Sequence, residues 1–88
     1  MKTKIDKDLL ANCDRAAGGR AAMEVVTALQ KHDPHVQVVG LAAAFKLLTE
    51  ETKLHVGDVL TYTGNLMNDA EGRRPEFKAV SEYIKNEL

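Results

Sequence analysis

The side chains best suited to chemistry are three histidines, one cysteine and a pair of adjacent arginines. His32-Asp33-Pro34-His35 is the one place where metal-type ligands cluster, and a zinc site needs three or four ligands converging at about 2.0–2.3 Å. Two imidazoles flank a helix start there, Asp33 is expected to act as the helix cap, and His55 is distant in sequence, so no metal is expected. Cys13 with a histidine would make a nucleophile and base pair, but it falls on an apolar stripe where a thiol is more often a small core residue. Gly18-Gly19-Arg20 offers backbone N–H groups to an anion at a helix start, although two glycines alone read better as a hinge. With no nucleophile-elbow, dinucleotide or P-loop spacing in the chain, no catalytic residue and no cofactor are expected.

Nucleic-acid recognition is the next chemistry to weigh. Leu48 to Leu66 can be laid over a helix-turn-helix, with the turn at Lys53-Leu54-His55 and helix 56–70 as the reader. Thr61, Tyr62, Asn65 and Asn68 would then be candidate binding residues. Lys53 stands where such motifs usually carry glycine, and Thr49 where they carry alanine. From Leu54 to Gly72 there is no Lys or Arg, whereas Asp58, Asp69 and Glu71 contribute −3. A reading helix without cations lacks the phosphate term that supplies most non-specific affinity, so nucleic acid is disfavoured. Arg73 and Arg74 form the densest basic turn and would suit an acidic ligand or partner surface, against the plainer reading of two solvated arginines. Lys2, Lys4, Lys7, Arg15 and Arg20 outnumber Asp6, Asp8 and Asp14, giving residues 1–20 a net +2.

The elements that position these residues are helices. Asp6 is the expected cap of a first helix running to Ala17, with Ile5, Leu9, Cys13 and Ala16 at helical spacing. The stripe after Gly18-Gly19 (Ala22, Val25, Val26, Leu29) points the opposite way at 100° per residue, which implies a break at the glycines and a second helix over Arg20–Lys31. Asp33-Pro34 starts a third helix, Pro34 to Thr52. Its Val36, Val38, Val39, Leu41, Ala42, Ala43, Ala44, Phe45, Leu47 and Leu48 cover almost the whole circumference, which predicts a buried central helix. A fourth helix spans Val56–Ala70, with the stripe Val56, Val59, Leu60, Thr63, Leu66 and Met67. Gly57, Thr61, Gly64 and Asn68 form a strip of small residues on its other side. Gly72 is the expected stop, and Pro75 opens a last helix with the stripe Phe77, Val80, Ile84 and Leu88. No segment alternates with period two. The expected fold is therefore all-α: one domain over 1–88, a compact bundle of four to five helices around a buried central helix at about residues 34–52.

Length and charge bound the rest. A chain of 88 residues buries only about 60% of its unfolded surface, so a dimer interface would be a gain, and a homodimer is favoured over a monomer. A net charge of −1 and pI near 6.3 give no global attraction to nucleic acid or anionic lipid. One cysteine allows no internal disulfide and fits a reducing compartment. The run Val38–Phe45 is far short of the roughly 18 apolar residues of a membrane helix, and the N-terminus does not read as a signal peptide. A cytoplasmic protein with no membrane contact is expected.

The stretch Val39-Gly40-Leu41-Ala42-Ala43-Ala44-Phe45, through Gly57-Asp58-Val59-Leu60 and Asn65-Leu66-Met67-Asn68 to Arg74-Pro75-Glu76-Phe77-Lys78-Ala79-Val80, resembles small uncharacterised proteins of tailed bacteriophages. The resemblance covers roughly the last fifty residues and contains no catalytic motif, so it transfers no site residue. It implies a phage-encoded accessory protein acting in a bacterial cytoplasm by binding a host or phage protein. The function expected from the residues is accordingly a non-enzymatic protein-interaction role, with helix-turn-helix-like DNA binding through helix 56–70 as the alternative. The candidate binding residues are Arg73, Arg74, Thr61, Tyr62, Asn65 and Asn68.

Overall fold

A computed structural model describes residues 5–88; Lys2 and Lys4 of the basic N-terminal cluster lie outside them. The chain forms α1 (Lys7–Ala11), α2 (Arg15–Leu29), α3 (Pro34–Thr52), α4 (Val56–Met67), a two-stranded hairpin β1 (Asn68–Asp69) and β2 (Gly72–Arg73), and α5 (Pro75–Glu87). The fold is all-α, as the periodicity predicts. α3 has the bounds expected from its Asp33-Pro34 start, and α5 begins at Pro75, where a missing N–H costs nothing.

The break between the first two helices is real but sits at Asn12-Cys13-Asp14, not at the glycines. Asp14 caps α2 by accepting from Ala17 N at 3.0 Å, which gives the new helix a start that Gly18 cannot offer. Asp6 caps the short α1 in the same way, accepting from Asp8 N at 2.8 Å. Gly18 and Gly19 run uninterrupted through α2 because their role is proximity. α2 packs along α5 more extensively than any other pair of elements. A Cβ at Gly19 would stand 3.0 Å from Glu76 Cβ and 3.1 Å from Glu76 O. Absence of a side chain, rather than freedom of φ, is what this position requires.

The core is the seam between α2 and α5: Val26, Phe77 and Val80 are its buried hydrophobic residues. Tyr83 continues the seam and its Oη donates to Gln30 Oε1 at 2.8 Å. α1 packs on α4 with Leu10 half-buried, while Leu9, expected on the inner stripe, is exposed. Cys13, expected in the core, is an exposed thiol in the α1–α2 turn. On α4 the covered side centres on Val59, Tyr62 and Leu66, leaving Val56 and Leu60 exposed. The ion pair among the described residues joins Lys7 to Asp58 at 3.8 Å; both side chains are largely solvated, so its contribution is below about 1 kcal/mol.

The expectation of a buried central helix is overturned. Val38 is 69% exposed, Val39 67% and Leu47 60%, with Val36, Leu41 and Leu48 also exposed. Only Gln37, Phe45, Thr49 and Thr52 of α3 are covered, and no described element packs on it as α5 packs on α2. The physical reason lies at its ends. The Gln37 side chain donates to Leu29 O at 2.8 Å, holding α3 to the end of α2, and Lys53 in the left-handed region (φ 57°) turns the chain directly into α4. These anchors hold one narrow side of α3 against the molecule and turn the rest outward.

Candidate functional site

Two features stand out: the uncovered surface of α3 and a polar cleft beside Arg74. Phe45 and Thr49 fix the inner side of α3; the buried Thr49 hydroxyl is satisfied by donating to Lys46 O at 2.9 Å. At 100° per residue, Val36, Val39, Gly40, Ala43 and Leu47 fall on the opposite side. Gly40 sits at the middle of that seam, and a Cβ there would meet nothing within 4 Å. The seam is thus apolar, small at its centre and bulky at both ends.

The cleft is built by the hairpin. Asp69 Oδ1 accepts from Glu71 N at 2.8 Å, Gly72 takes φ +121° after the turn, and Asn68 pairs with Arg73 and Asp69 with Gly72. Arg74 N then donates to Met67 O at 2.8 Å. Adjacent residues of an extended strand point to opposite sides, and the two arginines part accordingly. Arg73 borders an apolar cleft of about 380 Å³ with Phe77, Val80 and Ile84. Arg74 borders a polar cleft of about 280 Å³ with Asn12, Cys13, Arg15, Asn65 and Leu66.

Of the residues predicted to bind, Asn65 and Arg74 are therefore brought together, whereas Arg73 is turned away from them. Thr61 and Asn68 are exposed and Tyr62 is half-buried on α4. Asn68 is engaged locally, its Nδ2 donating to Gly64 O at 3.1 Å. Sequence reasoning missed Asn12 and Arg15 as members of the cleft. The packing of α1 on α4 carries them there, and no local pattern encodes it.

The histidines do not converge. His32 and His35 lie at the start of α3 and His55 beyond its far end, so a helix of 19 residues separates them by about 28 Å along its axis. No group of three His, Cys, Asp or Glu side chains among the described residues is arranged to hold a metal ion. Cys13 Sγ approaches Asp14 O at 3.6 Å, and its cleft is lined by no histidine among the described residues. The turn between α3 and α4 does have a left-handed residue at Lys53, where a helix-turn-helix needs one, but α4 behind it carries no cation. No helix of the described residues is long and apolar enough to cross a membrane. Comparison with protein-family models, with curated proteins and with solved structures finds no match to this chain.

Proposed function

We propose that this is a non-enzymatic protein-interaction module whose α3 joins it to a second copy of itself. The observation that carries the reading is an apolar helix left uncovered by its own chain. Exposed apolar patches beyond a few hundred square ångströms usually mark an interface. Six large aliphatic residues of α3 stand exposed, and the three on the seam, Val36, Val39 and Leu47, contribute roughly 300 Å², the size of patch that marks an interface.

A second copy fits the seam better than an unrelated surface because the seam is self-complementary about the Leu41–Ala42 midpoint. Two antiparallel α3 helices set Val36 opposite Leu47 and Gly40 opposite Ala43, so small meets small at the axis of an isologous pair.

The phage resemblance of the C-terminal fifty residues supports reading the dimer as an accessory protein of a bacterial cytoplasm that acts on a host or phage partner. The test is sedimentation of the intact chain at micromolar concentrations, beside the double variant Val39→Lys with Leu47→Glu. A dimer that the double variant converts to a helical monomer is expected. A wild-type monomer at about 100 μM would sink the reading, because a dimer with a dissociation constant in the micromolar range is the main species at that concentration.

A further inference from the structure

We propose that the cleft between the α1–α2 turn and the hairpin preceding α5 is a binding site for a phosphate group. Four observations on different elements converge there. Arg15, at the start of α2, and Arg74, at the cap of α5, line the same space with the carboxamides of Asn12 and Asn65, and no carboxylate lines it. Neither arginine makes an ion pair among the described residues. Asp14, the acid next to Arg15 in sequence, directs its Oδ2 to Ala17 N instead. Arg74 Nε is withdrawn from solvent with no hydrogen-bond acceptor among the described residues, so no carboxylate or carbonyl of the chain already holds that edge of the guanidinium.

The chemistry of the donors favours a tetrahedral oxyanion. A guanidinium presents its N–H groups as a planar fork that matches two oxygens of one phosphate. Arg74 and Arg15 come from different helices, and two guanidinium groups suit the several oxygens of a phosphate better than the two of a carboxylate. Asn12 is held in place by its own Nδ2 donating to Asp8 O at 2.9 Å. Arg74 is fixed by its backbone bond to Met67. The cleft, at about 280 Å³, exceeds what a bare phosphate fills, so a phosphate monoester can leave its organic part at the open side. The site is independent of α3 and stands whether or not the chain dimerises.

The experiment titrates the intact chain with inorganic phosphate at low, constant ionic strength. Amide chemical shifts and the rate at which iodoacetamide alkylates Cys13, the exposed thiol on the cleft wall, are followed. Saturable shifts centred on Asn12, Asn65 and Arg74, with alkylation slowed severalfold, are expected. Arg15→Gln, at an exposed position, should weaken phosphate at least tenfold while leaving the phosphate-free melting temperature unchanged. Arg74→Lys, which keeps the charge and loses the fork, should weaken it as well. Acetate matched for ionic strength should bind much more weakly, and glycerol phosphate at least as well as phosphate. No saturable shift, equal protection by acetate, or an Arg15→Gln protein that binds phosphate like wild type would each overturn the assignment.

Discussion

Replacing each glycine of the Gly18-Gly19 pair by alanine should move stability in opposite directions, although the residues are neighbours in one helix. Both changes gain about 1 kcal/mol of helix propensity, since glycine is the poorer helix former by that amount. At Gly18 a new Cβ would rest 3.5 Å from Leu66 Cδ2 and Phe77 Cζ, ordinary contact that adds attraction. Gly18→Ala should therefore stabilise the protein by about 0.5–1 kcal/mol. At Gly19 the new atom would stand 3.0 Å from Glu76 Cβ, 3.1 Å from Glu76 O and 3.4 Å from Glu76 C. Two of those atoms are backbone in the first turn of α5, so relief requires moving the whole helix by about half an ångström from the contact optimum. Overpacking of this kind costs about 1–3 kcal/mol. After the propensity gain, Gly19→Ala should lose up to about 2 kcal/mol, placing the two variants about 1–3 kcal/mol apart. In a chain of this length that separates their melting temperatures by at least about 4 °C. Urea unfolding followed by circular dichroism at one fixed protein concentration measures the difference. A Gly19→Ala protein as stable as Gly18→Ala would refute the claim that α2 and α5 meet backbone to backbone there.

Three further outcomes follow from single contacts. Asp14→Ala removes the oxygen that caps α2 and should cost about 1 kcal/mol in the same urea assay. Lys53→Gly relieves a side chain held at φ 57° and should stabilise by about 0.5–1 kcal/mol, seen as a higher urea midpoint with unchanged slope. Leu47→Glu should leave helix content intact while shifting the monomer–dimer midpoint to at least tenfold higher protein concentration in sedimentation, because it sets a charge against the apolar seam.

Local signals determined most of the elements. Pro34 and Pro75 start α3 and α5 at the first helical position, although Asp33 makes no side-chain cap bond, and the stripe of Phe77 and Val80 marks the inner side of α5. The glycine pair was legible as an anomaly, but its meaning was not. Glycine serves both turning and close approach, and only the position of Glu76 decides between them. The hairpin at Asn68–Arg73 escaped pattern reading because strands of two residues are too short to show a period. α3 shows the deepest limit: a helix apolar on every side states that it must be covered, and nothing in its own residues says by which chain. In the polar cleft, Asn65 and Arg74 could be singled out as polar residues near a turn. Their neighbours Asn12 and Arg15, some fifty residues away in sequence, arrive only through the docking of α1 on α4.

The pleat of β2 has a consequence for how variation in this chain would be tolerated. Arg73 and Arg74 look interchangeable, yet they face different clefts on either side of Leu66. Lengthening the turn at Ala70-Glu71 by one residue would slip the strand by half a repeat and bring Arg73 to the side that Arg74 occupies. An uncharged insertion would leave the net charge as it is while the guanidinium beside Arg15 was swapped for its neighbour, making the length of this turn a selector of which arginine serves that side.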